Sequence, residues 1–306
     1  MTKTITDVEG VYASGLHCGT KKRNKDLAFI YVPEAVASAA VFTQHQFAAS
    51  SIELTRKHSK KSILKAMVIN SGNANAGTGR QGVENTAILA EETANLLGLN
   101  ITEVGVASTG IIGVQLKIDK LKSGLTQLLN NPYVKEGHLA AEAIKTTDLF
   151  TKEVYKERKI GNKVIKIAGI TKGSGMIEPN MATMLAYITT NIDMSSKNLQ
   201  QSLKKAVDNS FNMISVDTDT STSDMVVCFA TGTQKVDIND SKIQNEFTQF
   251  LTEVCQDLAK LIAKDGEGAT KLIEVCVKNA KTQKEARRIA KLIVNSPLVK
   301  TAIHGE

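Results

Sequence analysis

Short apolar runs alternate along this chain with stretches in which apolar residues recur every three or four positions. Residues 65–70 (KAMVIN) and 104–107 are apolar runs that end at an Asn- or Gly-containing turn, which predicts buried strands. Between them, helical spacing ends at Gly98, a residue typical of helix C-termini. The apolar positions of this predicted helix are Val83, Ala87, Ala90, Ala94 and Leu97.

Helical spacing returns at four later places, and the longest lies at 243–262, where seven apolar residues follow a 3.6-residue period. The three shorter stretches are 121–128, 199–207 and 286–293. Strand-like runs separate them. The runs 154–160 and 164–170 flank Gly161-Asn162, a pair that predicts a β-hairpin, and further strands are predicted at 184–190, 225–230 and 272–277. This alternation predicts helices layered on sheet.

Composition narrows the class of protein. With 306 residues, 42% hydrophobic and 23% charged, the chain has the make-up of a soluble globular protein. It holds no apolar run of 18 residues, so no membrane association is expected. The four cysteines are widely spaced and form no C-x-x-C pair, which favours reduced thiols and a cytoplasmic location.

A net charge of +7 raises the question of nucleic-acid binding. The basic residues are dispersed and aromatic residues make up only 4%, whereas nucleic-acid binders concentrate basic side chains and often interleave aromatic ones. We therefore expect no nucleic-acid partner.

The five histidines form no zinc-binding pattern, and Gly266-x-Gly268 lacks the third glycine of a dinucleotide site. No metal or cofactor is expected, and covalent catalysis remains.

The segment 172–185 (KGSGMIEPNMATML) suggests such chemistry. A loop rich in glycine adjoins Ala182-Thr183, and a strand-like run follows. If the peptide bond between these two residues breaks, Thr183 carries both a hydroxyl nucleophile and a free α-amine. The pKa of that amine, about 7.7–8.0, suits a base at neutral pH better than a lysine at about 10.4. The structural alternative is a glycine turn that enters a buried strand.

The whole of 172–185 resembles the self-cleavage segment of the ornithine acetyltransferase family. Five further motifs resemble those of the family and occur in the same order. They are 15–19 (GLHCG), 70–76 (NSGNANA), 108–113 (STGIIG), 146–148 (TTD) and 265–271 (DGEGATK). Two features depart from the family pattern. Thr218 follows Asp217 where the family usually has glycine, and members normally continue past Glu306, so the chain is expected to lack their C-terminal segment.

The resemblance implies an α/β fold, an α-β-β-α sandwich of the self-processing type in which Thr183 begins a central strand. Cleavage between Ala182 and Thr183 would give an α-chain segment, 1–182, and a β-chain segment, 183–306. The family likeness implies that the two fragments stay associated and that the pairs form a heterotetramer.

The resemblance also implies a reaction. Thr183 would take the acetyl group of N-acetylornithine and pass it to glutamate, a step of arginine biosynthesis. Thr109 and Gly110 would stabilise the oxyanion, through a hydroxyl and a backbone N–H. Thr146, Lys172, Thr183 and Glu267 would bind substrate, and the charge of Lys172 suits a carboxylate. Some relatives also use acetyl-CoA, and the sequence leaves this open.

Two other functions stay open at this point. One is an aminopeptidase or amidase that shares the fold and the self-cleavage; the binding residues Thr146, Lys172 and Glu267 argue against it. The other is a truncated remnant without catalysis, which the early end at Glu306 favours.

Overall fold

Two β-sheets lie face to face in the computed structural model, which describes residues 2–177, 184–219, 221–237 and 240–305. The strands are β1 Tyr12–Leu16, β2 Leu27–Tyr31, β3 Ala37–Phe42, β4 Ala66–Asn73, β5 Val104–Ile111, β6 Lys152–Ile160, β7 Lys163–Lys172, β8 Leu185–Ile192 and β9 Met225–Gln234. The helices are α1 Ser50–Lys61, α2 Gly79–Leu97, α3 Ile118–Leu129, α4 Gly137–Ala143, α5 Ser196–Asp208, α6 Ser241–Lys264, α7 Gln283–Asn295 and α8 Pro297–Gly305.

The strand order is β1-β2-β4-β5 in the first sheet and β3-β9-β8-β7-β6 in the second. Each sheet contains one parallel pair, β4 with β5 and β8 with β9, and the other neighbours are antiparallel. Parallel neighbours need a crossover connection. The crossovers carry α2 and α5 respectively, and each helix covers the outer face of its own sheet.

Three apolar layers hold the sheets and helices together. The first sheet packs on α2 and α3, and the second packs on α5 and α6. The layer between the sheets is filled by buried side chains from both, among them Ile30, Ile69, Ile170, Tyr187 and Phe229. The predicted α-β-β-α sandwich is thereby confirmed, and the alternating apolar faces of each strand explain why both sheet surfaces are covered.

Most elements predicted from periodicity are present. Helix α2 ends at Gly98, which adopts the left-handed conformation with φ of +66°. Strands β6 and β7 form the predicted hairpin, with Ile160 paired to Lys163 across the turn. The predicted strand 184–190 corresponds to β8, the middle strand of the second sheet. That strand begins at Leu185, and Thr183 itself lies outside the described residues.

The strand predicted at 272–277 is wrong, because these residues pair with neither sheet of the described structure. Lys260 of α6 contacts Glu274 at 3.0 Å, so the segment lies against the helix layer. An extended run without a neighbouring strand cannot form a ladder of hydrogen bonds.

None of the helices in the described ranges has the length and apolar character needed to cross a membrane.

Candidate active site

The ends of β4 and β5 bring two of the sequence motifs together. Because the strands are parallel, both motifs reach the same edge of the first sheet, with Gly72 in register with Gly110. Ser108 Oγ donates a hydrogen bond to Asn70 Oδ1 at 2.6 Å, which fixes the two strand ends to each other. Thr109, the next residue, is buried and lines a cavity at this edge.

Gly110 occupies a position that admits no side chain. Its φ is +127°, and a Cβ atom there would lie 2.4 Å from the carbonyl carbon of Gly72. Any other residue would overlap the backbone of β4 and separate the two strands. The backbone of Gly110 can therefore approach the cavity closely beside Thr109.

Lys172, the last residue of β7, connects the second sheet to the first. Its Nζ donates to Thr109 Oγ1 at 3.2 Å, and its side chain is buried. Burial lowers the pKa of Lys172 because it disfavours the charged form, and the nearby Asp148 and Asp224 carboxyls partly oppose this shift. One hydrogen bond therefore joins the part of the site on β5 to the part on β7.

A buried ion triad lies behind this lysine. Lys152 Nζ contacts Asp148 Oδ1 at 2.6 Å and Asp265 Oδ2 at 2.5 Å, and all three side chains are inaccessible to solvent. Asp148 also accepts hydrogen bonds from the backbone N–H groups of Thr146 (2.9 Å) and Gly173 (2.8 Å). The triad therefore holds the residues before β6, after β7 and after α6 in one arrangement.

The charge of Asp148 follows from its neighbours. Burial alone would raise the pKa of this carboxyl, but Lys172, Lys152 and its hydrogen bonds outweigh burial and lower the pKa to about 2. Asp148 is consequently ionised at neutral pH.

Glu267 reaches the cavity from the loop after α6. Its backbone N–H donates to the Ser174 carbonyl oxygen at 3.0 Å, and Ser174 Oγ donates to the Asp265 carbonyl oxygen at 2.6 Å. The Glu267 carboxyl lies over Gly175, where an added Cβ would come within 2.5 Å of it. The loop that follows Lys172 and the loop that carries Glu267 are therefore packed together.

The ends of β5 and β7 and the loop after α6 line one cavity of about 810 Å³. Of the residues predicted to form the site, the structure brings together Thr109, Gly110, Thr146, Lys172 and Glu267. The nucleophile Thr183 and the Ala182-Thr183 bond lie outside the described residues. The roles of all these residues remain predictions.

Several cavity residues were not predicted as site residues. They include Lys21, Lys22, Lys117, Asp217 and Asp219. Lys21 and Lys22 closely follow the GLHCG motif, and Asp217 belongs to the segment in which this chain departs from the family pattern. Their closeness in sequence to those motifs is the signal from which they could have been predicted as site residues.

The thiol of Cys18 is poorly suited to nucleophilic chemistry. Burial and the neighbouring Asp26 carboxylate raise the pKa of Cys18 to about 11, so the thiol stays protonated at neutral pH. The Cys18 backbone N–H donates to Asp26 Oδ1 at 2.6 Å, and the His17 ring contacts the same carboxylate at 3.2 Å. Both residues therefore belong to the framework of their loop.

The sequence profile of the ArgJ family matches residues 12–306. The arginine biosynthesis bifunctional protein ArgJ of Oceanobacillus iheyensis is 44% identical over 306 residues, an alignment that covers 98% of this chain and 74% of that protein. The chain belongs to the ArgJ family. The resemblance seen in the motifs is thereby confirmed.

Solved structures agree with this assignment. The ornithine acetyltransferase of Mycobacterium tuberculosis, solved with ornithine, is 32% identical with a TM-score of 0.51, and the match covers 58% of this chain and 95% of that one. An L-aminopeptidase D-Ala-esterase/amidase from Ochrobactrum anthropi, described as a variant of the Ntn-hydrolase fold, has a TM-score of 0.50 and covers 86% of both chains. At 11% identity, that second match shows a shared fold alone.

Thr218 offers a test of the departure from the ArgJ pattern. It has a φ of +66°, a left-handed conformation that is strained for a β-branched residue and suits the glycine usual in the family. We expect Thr218→Gly to raise the free energy of unfolding by about 1 kcal/mol in urea denaturation. Asp219→Gly is the control, because Asp219 lacks a positive φ and glycine there should be neutral or destabilising. Equal stability of Thr218→Gly and wild type would contradict the explanation.

The ion triad predicts a large loss of stability in Lys152→Met. This change leaves two buried carboxylates without their cation and should lower the free energy of unfolding by about 3–5 kcal/mol at pH 7. Lys156→Met is the control, since Lys156 on the same strand pairs with Asp257 at the surface and should cost about 0–1 kcal/mol.

The loss in Lys152→Met should also depend on pH. The low pKa of Asp148 stabilises the wild type above the unfolded carboxyl pKa of about 3.9, and this stabilisation disappears as the pH falls towards about 2. The gap between the variant and the wild type should therefore narrow below pH ~4. A loss that is independent of pH would indicate that packing, and not charge, explains the effect.

Proposed function

We propose that this chain is an acyltransferase of arginine biosynthesis, which transfers the acetyl group of N-acetylornithine to glutamate through an ester on Thr183. The observation that carries the proposal is the single cavity that gathers Thr109, Gly110, Lys172 and Glu267 in a chain of the ArgJ family. The solved ornithine acetyltransferase with bound ornithine supports the substrate class.

The position of β8 supports Thr183 as the nucleophile. Leu185, the first residue of that strand, pairs with Lys172, and only two peptide bonds separate it from Thr183. Lys172 in turn contacts Thr109. The described strand that follows the predicted nucleophile therefore begins beside Lys172, the residue that contacts Thr109, and this supports the proposed role.

In the first half-reaction, the Thr183 Oγ attacks the acetyl carbonyl carbon, and the free α-amine of Thr183 accepts the hydroxyl proton. The negative charge on the carbonyl oxygen is stabilised by the Thr109 hydroxyl and the Gly110 N–H. The C–N bond to ornithine then breaks, and the departing amine takes the proton. Acetyl-threonine ester and free ornithine result.

In the second half-reaction, the neutral amine of glutamate attacks the ester carbonyl and gives a proton to the α-amine of Thr183. The C–O bond to Thr183 then breaks, and the α-amine returns that proton to the Thr183 oxygen. N-acetylglutamate leaves. Because the acetyl group is held on the enzyme between the two steps, the kinetics are ping-pong. The same oxyanion donors serve both tetrahedral intermediates.

The hydrogen bond from Lys172 explains how Thr109 can act as a donor. Lys172 Nζ occupies an acceptor site of the Thr109 oxygen, so the hydroxyl hydrogen is free to point elsewhere. The adjacent positive charge also makes that hydrogen a stronger donor.

Lys172 binds the α-carboxylate of both substrates, and Glu267 binds an amine.

Cleavage before Thr183 supplies the α-amine and divides the chain into 1–182 and 183–306, which associate as a heterotetramer. The solved ornithine acetyltransferase chain matches over 95% of its length yet covers 58% of this chain, close to the share of 182 in 306 residues, about 59%. A fragment that ended at the predicted cleavage site would have this length. The relatives are bifunctional proteins of arginine biosynthesis, which supports a second activity beside this transfer. Acetyl-CoA as a further acetyl donor is the second activity proposed here. The four free cysteines suit a cytoplasmic enzyme.

Self-cleavage can be tested on the purified chain. We expect two fragments on a denaturing gel, and N-terminal sequencing of the second should begin with Thr183. Thr183→Ala should remain one chain and transfer no acetyl group, because it lacks the hydroxyl that attacks the preceding carbonyl. Thr183→Ser, which keeps a hydroxyl, is the matched control and should still cleave. An uncleaved wild-type chain of 33.0 kDa that transfers acetyl groups would refute the mechanism.

The oxyanion role of Thr109 predicts a loss confined to turnover. Thr109→Ala should lower kcat by about 10²-fold or more and leave both KM values nearly unchanged, because the interaction forms in the transition state. Thr109→Ser retains the hydroxyl and should recover most of the rate. Steady-state kinetics measure both variants. A rise in KM with normal kcat would assign Thr109 to ground-state binding instead.

A further inference from the structure

Lys21 is a half-buried lysine that lines the candidate active site and has no role in the reaction described above. Its Nζ donates to two backbone carbonyl oxygens, that of Lys25 at 2.9 Å and that of Lys145 at 2.6 Å. An ammonium group has three donors. The third donor is available to a ligand in the cavity. Lys145, one of the two carbonyl partners, directly precedes Thr146 in the sequence.

The surrounding loop holds Lys21 in place. The buried Asp26 carboxylate accepts the backbone N–H groups of Cys18 (2.6 Å), Gly19 (3.2 Å) and Lys21 (2.8 Å). The aliphatic stem lies across Gly72, where a Cβ would come within 2.8 Å of Lys21 Cγ. Two of the sequence motifs, GLHCG and NSGNANA, thus combine to position this one ammonium group.

Lys21 and Lys172 are two cations in the same cavity. Burial lowers the pKa of Lys21 to about 8; Lys172 and Lys145 act in the same direction, and Asp26 and Asp148 oppose them. The two lysines therefore repel each other while the cavity is empty. An anion with two negative groups would offset both charges.

The two substrates of the proposed reaction differ in this respect. N-acetylornithine carries one carboxylate, whereas glutamate carries two. A pocket that accepts both needs one cation for the shared α-carboxylate and a second that only glutamate uses. The acids Asp217 and Asp219 line the same cavity and suit the side-chain ammonium of ornithine.

We propose that Lys21 binds the side-chain carboxylate of glutamate and thereby selects the acetyl acceptor. The inference rests on the proposed function, and it adds a specificity-determining residue to the same site.

The test compares KM values for the two substrates in Lys21→Met. Loss of one charge-assisted hydrogen bond should raise the KM for glutamate by about 10- to 100-fold, while the KM for N-acetylornithine changes by less than about 2-fold. The matched control is Lys120→Met, because Lys120 is exposed and reaches the Gly19 carbonyl oxygen at 3.2 Å without lining the cavity. It should leave both KM values unchanged. Equal increases for the two substrates in Lys21→Met, or no increase, would overturn the inference.

The wild-type enzyme provides a second measurement that does not depend on a variant folding. The charged form of Lys21 binds the carboxylate, so affinity is present below its pKa and lost above it. The KM for glutamate should therefore rise as the pH passes about 8, before any rise for N-acetylornithine. Parallel rises for both substrates would contradict a specific role for Lys21.

Failure of the inference can be separated from failure of the proposed function. A wild-type chain that transfers acetyl groups, with a normal glutamate KM in Lys21→Met, refutes only the role of Lys21. A wild-type chain without transfer refutes the proposed function. In that case calorimetry on the intact protein, with glutamate and then ornithine as probes, tests Lys21 directly: Lys21→Met should lose glutamate binding and retain ornithine binding, and equal glutamate binding would overturn the inference.

Discussion

The arrangement of the candidate site depends on three charges buried at its base. Lys152 contacts Asp148 and Asp265, and through them the loop before β6, the turn after β7 and the loop after α6 are held together. Buried ion pairs are costly to desolvate and are weak evidence of net stability. Their value here is positional, because three segments distant in sequence supply Thr146, Lys172 and Glu267 to one cavity.

The two sheets contribute differently to this cavity. The first supplies Thr109 and Gly110 at the end of β5, which pairs with the parallel strand β4 and lines the cavity. The second supplies Lys172 at the end of β7, and its hydrogen bond to Thr109 crosses the gap between the sheets. The site therefore lies where the sandwich layers meet, and small changes in sheet packing would alter its geometry.

Sequence patterns correctly predicted the helices and turns whose formation depends on residues close together in the chain. Helices α2 and α6 and the hairpin at Gly161 follow from periodicity and turn chemistry, and the structure contains them. The run 272–277 shows the limit of this approach, since an apolar extended segment becomes a strand only beside a free sheet edge.

Site residues show the same limit. Lys152 reads as one of many surface lysines, and its partner Asp265 is 113 positions away, so no local signal marks it as buried. Lys21 is similar, because its place in the cavity depends on Gly72 and Lys145. Family motifs, by contrast, predicted five residues that share the cavity, since a motif carries information about distant contacts.

The strand order of the second sheet has a consequence for a chain divided before Thr183. Strands β8 and β9 would belong to one fragment, and their neighbours β3 and β7 to the other. The two-strand unit is thus inserted between strands of its partner, with hydrogen-bonded ladders on both sides. Separated fragments would each expose unpaired sheet edges. Reassembly after denaturation would become a second-order process that competes with aggregation. An intact precursor avoids this difficulty, because it folds as one molecule before the bond is cut.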